Sequence, residues 1–308
     1  MLRLRPFRLL IFCFLTLLPT SIWAQEVPFR SYSIENGLSQ SVVQSMMQDS
    51  RGYIWIGTDY GLNRFDGLNF SQFYVEDGLP HNQVNAILET SDGTLLAGTE
   101  QGIAAWNGEG FEPWRKTDEL FDYGVTQLFE SSDGGVWVAT EGDGVWRFRE
   151  NQVIHFLVSD GLPSDSVRSI AEDIAGNIWL GTRNGLCKWN ESNFELLTTK
   201  EGLPDNKIRR LLVDGVGQLW IGTRTGLSVY DGRKFKNYTE ADGLVFSRIT
   251  ALRFDSKQRL WVGTEDGISY LEDGNFTSFT AEQGLDYSYV NGILEDREKN
   301  LWLRSWLE

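Results

Sequence analysis

Residues 161–189 read GLPSDSVRSIAEDIAGNIWLGTRNGLCKW, and this stretch decides the fold. It contains three short apolar runs, VRSIAED at 167–173, IWLGT at 178–182 and GLCKW at 185–189, and NFELLTT at 193–199 adds a fourth. The runs are rich in β-branched and aromatic residues and are separated by turn-forming residues, as in short β-strands joined by tight turns. No apolar spacing of about 3.6 residues indicates a helix. The stretch therefore predicts a small antiparallel sheet of four strands.

The same pattern occurs seven times along the chain. The apolar run of the second strand recurs every 41 residues, with one spacing of 42, and has Leu96 in place of tryptophan in the second copy. The other six copies carry a tryptophan that we expect to be structural core: Trp55, Trp137, Trp179, Trp220, Trp261 and Trp302. Four strands in each repeat of about 40 to 45 residues are typical of a propeller blade, whose apolar faces are covered by its neighbours. The sequence predicts an all-β, seven-bladed β-propeller of four-stranded antiparallel blades over residues 25–308.

The two ends of the chain bear on how the ring closes. Phe29 and Tyr32 stand at the positions that Phe70 and Phe73 occupy in a fourth strand, so the N-terminal residues predict an outer strand for the last blade. Such pairing would cover a sheet edge. The seventh repeat reaches Glu308 where its third strand would begin. We therefore expect the last blade to lack one strand, and the sequence to be a fragment or a truncated reading frame of a longer protein.

Residues 1–24 have the layout of a cleaved signal peptide. Arg3, Arg5 and Arg8 precede an apolar run over residues 9–18, and small or neutral residues follow it. The run is shorter than the roughly 20 residues that span a bilayer, although a single uncleaved anchor is the alternative. The sequence therefore predicts export to the periplasm of a Gram-negative bacterium, with membrane attachment only through a segment downstream of this chain.

Composition excludes several classes of function. The formal net charge is −15, which disfavours binding to nucleic acid or to an anionic membrane. Cys187 is the one cysteine left after signal cleavage, so no intrachain disulfide is expected. The two histidines, His81 and His155, are far apart, His155 is expected to face solvent from an outer strand, and no Cys or His spacing indicates a metal site. We predict no cofactor, no metal and no catalytic residue.

Two repeats carry the pattern of a known family most clearly. Residues 35–67 read ENGLSQSVVQSMMQDSRGYIWIGTDYGLNRFDG, and residues 201–232 read EGLPDNKIRRLLVDGVGQLWIGTRTGLSVYDG. Both resemble the two-component regulator propeller repeat. The third and seventh copies depart furthest, with Glu119 in place of the usual Gly of the GL pair and Arg304 in place of the Gly of the GT pair.

The resemblance implies a periplasmic ligand-sensing propeller of a two-component-type receptor. In that family two propellers usually precede a β-sandwich, a transmembrane helix and a cytoplasmic output such as a histidine kinase, a diguanylate cyclase or a DNA-binding domain, and none of that output occurs in this sequence. Expected partners are a carbohydrate or another small molecule, and a second copy in a dimer formed through the propeller or through absent C-terminal domains. The alternatives are a protein-docking scaffold and an enzyme like the streptogramin lyases, for which His81 would have to serve as the catalytic histidine.

Loop residues that vary between copies are the candidates for ligand binding. The loops after GLP and after GT open onto one end of a usual blade, around the central channel, which is the default ligand site. Candidates in these loops are Asn82, Tyr123, Asn206, Tyr287, Arg183 and Arg224. The second residue of the innermost strand is polar in all seven copies, namely Gln44, Asn85, Thr126, Arg168, Arg209, Thr250 and Asn291.

The arginines among these residues favour an anionic ligand. Arg168 and Arg209 predict pairing with a uronic-acid or sulfated sugar or with a carboxylate of a partner, and the nearby positive charges are Arg183, Arg224, Lys207 and Arg210. The alternative is that they form surface salt bridges with neighbouring acidic residues, each contributing about 1 kcal/mol or less.

Overall fold

Six four-stranded antiparallel sheets and one two-stranded sheet make up this computed structural model, which describes residues 30–115, 123–190, 193–283, 285 and 288–305. The first three sheets contain β1 to β12, at Val43–Gln48, Ile54–Thr58, Gly61–Phe65 and Phe70–Phe73; Val84–Glu89, Leu95–Thr99, Gly102–Trp106 and Phe111–Pro113; and Val125–Glu130, Val136–Thr140, Val145–Arg149 and Gln152–Phe156. The next three contain β13 to β24, at Val167–Glu172, Ile178–Thr182, Gly185–Trp189 and Phe194–Leu197; Ile208–Val213, Leu219–Thr223, Leu227–Tyr230 and Phe235–Tyr238; and Ile249–Phe254, Leu260–Thr264, Gly267–Glu272 and Asn275–Phe279. The last sheet pairs β25, Val290–Glu295, with β26, Leu301–Ser305.

The predicted all-β propeller of four-stranded antiparallel blades is confirmed for six repeats. The predicted signal peptide at residues 1–24 lies outside the described residues.

The innermost strands of the seven sheets form a ring. Each of β1, β5, β9, β13, β17, β21 and β25 contacts the next, and β25 also contacts β1. Arg297, in the turn between β25 and β26, donates hydrogen bonds to the backbone carbonyls of Asp49 and Ser50 at 3.1 and 2.8 Å, and its own N–H donates to Gln48 at 2.9 Å. The two-stranded sheet thus occupies the place between the sixth blade and the first.

The predicted outer strand at the N-terminus differs from the structure. Residues 30–33 belong to no strand, and Phe29 lies outside the described residues. The ring of Tyr32 nevertheless stacks on Trp302 with 5.4 Å between centroids, and lies 5.3 Å from Phe65 of the first blade. An outer strand pairs with the third strand of its blade, and the described part of the seventh sheet contains only the first two. Tyr32 therefore packs through its side chain, and the described part of the seventh sheet has no third strand with which an N-terminal outer strand could pair.

The apolar core lies between the blades and depends on the second strand of each repeat. Every residue of β2, β6, β10, β14, β18 and β22 is buried. Trp302 is partly exposed, whereas the other five repeat tryptophans are buried. The buried indole N–H of Trp55 is satisfied by Asp49, six residues earlier, at 2.9 Å. The same bond, at 2.8 to 3.0 Å, joins the tryptophans of repeats four to seven to Asp173, Asp214, Asp255 and Asp296. In the second repeat Leu96 replaces the tryptophan and has no side-chain N–H that needs an acceptor, and Thr90 stands in the place of the aspartate.

One-turn 3-10 helices immediately precede the GL pairs. The sequence predicted only turns at these positions. They occupy Ile34–Asn36, Val75–Asp77, Val158–Asp160, Glu240–Asp242 and Ala281–Gln283. In the second of them Asp77 Oδ2 accepts the backbone N–H of Tyr74 at 2.8 Å, and Gly78 ends the turn with φ of 98°. A side-chain carboxylate close in sequence thus captures the first free N–H of the turn, as at helix N-termini.

Candidate ligand site at the central channel

Each innermost strand carries a β-bulge at its second residue. In β5, Val84 pairs with Thr99 and Ala86 pairs with Gly98, so that Asn85 has no partner in the ladder. The register skips the corresponding residue in all seven innermost strands. A bulge re-aims the side chain of the extra residue. The polar second residue is therefore left out of its own ladder, and its side chain can bond the GT turn or the neighbouring blade.

The residues on either side of the bulge face the neighbouring blades. Ser45, the third residue of β1, donates its hydroxyl to the carbonyl of Val84 in β5 at 3.3 Å. In the opposite direction Val84 lies against Gly57, where an added Cβ would be 3.0 Å from Val84 Cγ1 and 2.4 Å from its carbonyl oxygen. The first and third residues of the innermost strands therefore contribute to the contacts between neighbouring blades.

The residue after GT is the main partner of the polar second residues. Gln44 Nε2 donates to Asp59 Oδ1 at 2.7 Å in the first blade. Asn85 Nδ2 donates to Glu100 Oε1 at 2.8 Å in the second. Thr126 instead donates to the carbonyl of the first residue of β13 at 2.6 Å. The polar second residues of the first three blades thus each have a hydrogen-bond partner within the propeller.

Two predicted arginines share one glutamate. Arg168 Nη2 lies 3.2 Å from Glu141 Oε1, and Arg183 Nη2 bonds the same oxygen. The Nε of Arg168 is buried without a hydrogen-bond partner. Salt bridges, the alternative considered for these side chains, therefore exist for Arg168 and Arg183, but a single carboxylate neutralises only one of the two charges.

A second glutamate is shared in the same way. Glu265 lies 2.7 Å from Arg248 Nη1 and 3.9 Å from Arg209 Nη2. Arg224 is exposed and has no carboxylate within 4 Å among the described residues. The structure thus places positive charge on the sector of the channel formed by the fourth to sixth blades.

The remaining predicted residues have loop roles. Asn82 Oδ1 accepts the N–H of Val75 at 2.9 Å, and Asn206 Oδ1 accepts the N–H of Thr199 at 2.8 Å, so each holds its own loop together. Tyr123 is 51% exposed. Tyr287 lies outside the described residues. The amide oxygens of the two asparagines are already used, which leaves less of each side chain for a ligand.

Two further arginines lie close to these residues in the chain or the fold: Arg210, which the sequence indicated only as a nearby positive charge, and Arg304, which was not selected as a site residue. Arg304 is 8% exposed, and its Nε and Nη2 donate to Oδ1 and the carbonyl of Asn291 at 2.7 and 2.6 Å. Asn291 is itself a bulge residue. Arg210 is partly buried and donates from Nη1 to the carbonyl of Arg209 at 2.8 Å. The available signal was a departure from the repeat, since both arginines stand where most copies have Gly, Ala or Ser.

The electrostatics of these two groups reflect their burial. Desolvation lowers the pKa of Arg304 to about 9, and the positive charge of Arg210 contributes to the shift. Desolvation also lowers the pKa of Arg210 to about 10, with a further contribution from the charge of Arg209. Both guanidinium groups remain protonated at pH 7, Arg304 in a buried position and Arg210 in a partly buried one.

The histidines and the cysteine among the described residues lie in other surroundings. Among residues 30–115, 123–190, 193–283, 285 and 288–305, no three His, Cys, Asp or Glu side chains are grouped so as to hold a metal ion. Burial raises the pKa of Cys187 to about 12. His81 Nδ1 accepts the N–H of Gln83 at 3.1 Å. The expectation that His155 faces solvent is wrong, because its ring stacks on Trp146 with centroids 3.7 Å apart and its side chain is only 25% exposed.

Comparison with protein families identifies the repeat. Residues 37–60, 78–101, 161–184, 202–225 and 243–266 match the two component regulator propeller. These five repeats are two component regulator propeller repeats. The third and seventh copies, which depart furthest from the pattern, are not among the matched stretches.

Similar proteins include parts of two-component signalling proteins. The extracellular domain of a putative hybrid two component system from B. thetaiotaomicron is 26% identical, and the match covers 88% of this chain and 39% of that chain with a TM-score of 0.80. Histidine kinase P4 of Formosa agariphila is 42% identical over 66 residues, which are 21% of this chain and 5% of that protein. The chain therefore spans well under half the length of these relatives.

The fold is also shared with enzymes. A streptogramin B lyase structure aligns with a TM-score of 0.68 over 87% of this chain and 92% of that chain, at 14% identity. Identity this low shows a common propeller fold alone. In the part of the chain that the structure describes, no helix has the length and apolar character needed to cross a bilayer.

Proposed function

We propose that this chain is the noncatalytic, ligand-sensing propeller of a two-component-type receptor, exported to the periplasm of a Gram-negative bacterium by residues 1–24. The observation that carries the proposal is the similarity to an extracellular sensor domain over most of the chain, together with five matching repeats. The polar second residues of the innermost strands support it, because the bulges that carry them lie beside the GT turns at the same end of each blade. The expected ligand is a carbohydrate or another small molecule.

We also propose that the ring is built for seven blades, of which the last lacks a strand. The contacts of β25 with both β21 and β1 support this number, because they leave no place for another innermost strand. Signalling would require a ligand that binds one arrangement of the propeller and its membrane-side domains more tightly than another. A dimer formed through the propeller or through absent domains would provide two such arrangements.

Export can be tested with the full chain fused at its C-terminus to alkaline phosphatase, which is active only outside the cytoplasm. We expect phosphatase activity from the fusion in a Gram-negative host, and background activity when residues 2–24 are deleted. Equal activity with and without these residues would refute the assignment of the signal peptide.

Ligand sensing can be tested by calorimetric titration of the purified protein with acidic and neutral oligosaccharides. We expect saturable binding of at least one sugar, weakened by Arg168→Ala or Arg209→Ala. Arg233→Ala is the matched control, because Arg233 is exposed in the hairpin between β19 and β20, at the opposite end of the blade from the GT turns. Absence of binding, or binding unchanged in both channel variants, would exclude a small-molecule sensor at this channel and favour the protein-docking scaffold.

A further inference from the structure

We propose that a cavity between the third and fourth blades is a second binding site of the propeller, which takes a small neutral ligand rich in hydroxyl groups. The cavity lies at the end of the blades opposite the GT turns, beside the turns that join the first and second strands. This inference goes beyond the proposed function, because none of its residues belongs to the candidate site at the channel.

The cavity has the size and the lining of a small-molecule site. Its volume is about 390 Å³, within the usual range for such sites. The third blade contributes Asp133, Trp137 and Arg147 to its walls, and the fourth contributes Glu172, Asn177 and Trp189. The lining thus combines two indole rings with charged and amide groups.

Arg147 brings an unused hydrogen-bond donor to this cavity. The residue is 8% exposed, and among the described residues its Nε has no hydrogen-bond partner. Its Nη2 bonds Asp133, and its guanidinium carbon lies 5.3 Å and 5.2 Å from the ring centroids of Trp137 and Trp189. These contacts hold the guanidinium group in place before a ligand arrives, which reduces the entropy lost on binding. A buried donor without an acceptor destabilises the protein, so an acceptor supplied by a ligand would be favourable.

The donor is uncovered because the third repeat has glycine at position 135. Arg147 is the counterpart of Arg64 in the first blade, since each pairs with the tryptophan of its second strand. Tyr53, which precedes its second strand as Gly135 precedes β10, places its ring 4.8 Å from the Arg64 guanidinium group. A Cβ at Gly135 would lie 3.2 Å from Arg147 Nε, so a side chain at this position would cover the donor. The third blade lacks that side chain.

The lining requires an acceptor and not a counter-charge. Burial opposes the ionisation of Asp133, but hydrogen bonds to its carboxylate and the charges of Arg147 and Arg149 lower its pKa, so it is an anion at pH 7. Glu172 adds a second carboxylate, whose oxygens accept the backbone N–H and the hydroxyl of Ser132 at 2.6 and 2.5 Å. Two carboxylates therefore balance the two arginines, and no net charge favours an ionic ligand.

A hydroxyl group meets both requirements of this lining, because it accepts one hydrogen bond and donates another. Arg147 Nε is the donor to it. The acceptors are the carboxylate of Asp133 and Oδ1 of Asn177, whose amide nitrogen is used on Asp173 at 3.0 and 2.9 Å. Trp189 supplies an apolar wall, as is usual in small-molecule sites. A small polyol with adjacent hydroxyl groups is therefore the class of ligand that fits.

The test is calorimetric titration of the purified full chain with glucose, myo-inositol and sodium glucuronate at constant ionic strength. We expect saturable binding of glucose or myo-inositol. Arg147→Lys should weaken it about tenfold or more, because lysine keeps the charge but loses the Nε donor. Arg64→Lys is the matched control, since it makes the same change where Tyr53 covers the arginine, and it should leave the affinity unchanged. Any binding of glucuronate should be insensitive to Arg147→Lys.

Gly135→Tyr is a second variant, which fills the cavity with the side chain that the first blade carries. Gly135 is not among the glycines with positive φ, so its backbone accepts a tyrosine. Without ligand the variant should keep its Tm. With glucose or myo-inositol it should lose the saturable rise in Tm that binding gives the unmodified protein. A rise that is equal in both proteins would come from exclusion of the polyol from the protein surface, and would overturn the site.

The remaining outcomes are also decisive. Absence of saturable binding of both neutral polyols would mean that water alone occupies the cavity and that the proposal is wrong. Equal losses of affinity in Arg147→Lys and Arg64→Lys, or a loss confined to glucuronate, would overturn it too. If Arg147→Lys does not fold, Gly135→Tyr alone decides. Failure of this site leaves the sensor function intact, because that function is tested by Arg168→Ala and Arg209→Ala at the channel.

Discussion

Asp255 offers the sharpest test of how the repeat is stabilised. It is 3% exposed, and its Oδ2 accepts the indole N–H of Trp261 at 2.8 Å and the Nε of Arg259 at 2.7 Å. Its Oδ1 accepts the backbone N–H groups of Lys257 and Arg259, both at 2.9 Å. One carboxylate therefore closes the turn between β21 and β22 and satisfies a buried tryptophan.

We expect Asp255→Ala to destabilise the protein by about 3 kcal/mol. The backbone N–H groups of the turn reach water when the carboxylate is removed, so their loss costs little. The indole N–H of Trp261 stays buried without an acceptor, and such a group costs about 1–3 kcal/mol. Loss of the bonds to a charged acceptor adds to this penalty. At about 2 °C per kcal/mol for a domain of this size, the Tm should fall by roughly 6 °C.

The assay is urea unfolding followed by tryptophan fluorescence, supported by calorimetric Tm values. Asp231→Ala is the matched control, because Asp231 also closes a turn by accepting two backbone N–H groups but is exposed and bonds no tryptophan. It should cost less than about 1 kcal/mol. In a double-mutant cycle with Trp261→Phe, the effect of Asp255→Ala should shrink, since phenylalanine has no N–H. An equal effect of Asp255→Ala in both backgrounds would refute the indole bond as the source of the penalty.

Three further outcomes follow from the same structure. Burial alone would raise the pKa of Asp255, but the hydrogen bonds from Trp261 and Arg259 outweigh it and lower that pKa. The ionised carboxylate therefore stabilises the fold at pH values above the pKa of an unfolded aspartate, about 3.9. This contribution is lost as the pH falls through the lower folded pKa. The free energy of unfolding of Asp255→Asn, measured in urea, should therefore lie below that of the unmodified protein at pH 5. The difference between the two proteins should become smaller as the pH is lowered to 2. Gly78→Ala should lower the free energy of unfolding by about 1–3 kcal/mol more than Gly67→Ala in the same assay. Both glycines have φ near +100°, but only at Gly78 would an added Cβ meet a backbone oxygen, at 1.8 Å. Equal losses of stability in the two variants would contradict this contact. Cys187, whose pKa burial raises to about 12, should react with iodoacetamide in urea but not in the native protein at pH 8, as mass spectrometry would show.

Much of the architecture was predictable because it depends on local spacing. The 41-residue period placed the second strand of each repeat, and in six repeats the predicted four-stranded sheet is present. In the fourth repeat the predicted first strand, 167–173, ends one residue earlier in the structure, and the fourth, 193–199, is observed at Phe194–Leu197. Within the blades, the differences in secondary structure lie at strand ends and in the 3-10 turns, where hydrogen bonds from side chains such as Asp77 decide the backbone path. The N-terminal outer strand and the exposure of His155 were also predicted wrongly, because both depend on packing against other strands.

The channel was only partly predictable. The polar second residue of each innermost strand was visible in the sequence, but the bulge that explains it is a property of strand pairing. Arg168 and Arg183 were recognised as a pair of charges, whereas their common partner, Glu141, comes from the preceding blade.

The sequence alone determined the repeat, the number of its copies and the residues buried between blades, because neighbours within about 40 residues dictate these features. Only the tertiary structure decided which charges meet in the channel. Arg209 and Glu265 are 56 residues apart in the chain and belong to the fifth and sixth blades, yet the folded ring brings their side chains to 3.9 Å. Charge interactions depend on distance in space, and the repeat pattern does not specify that distance.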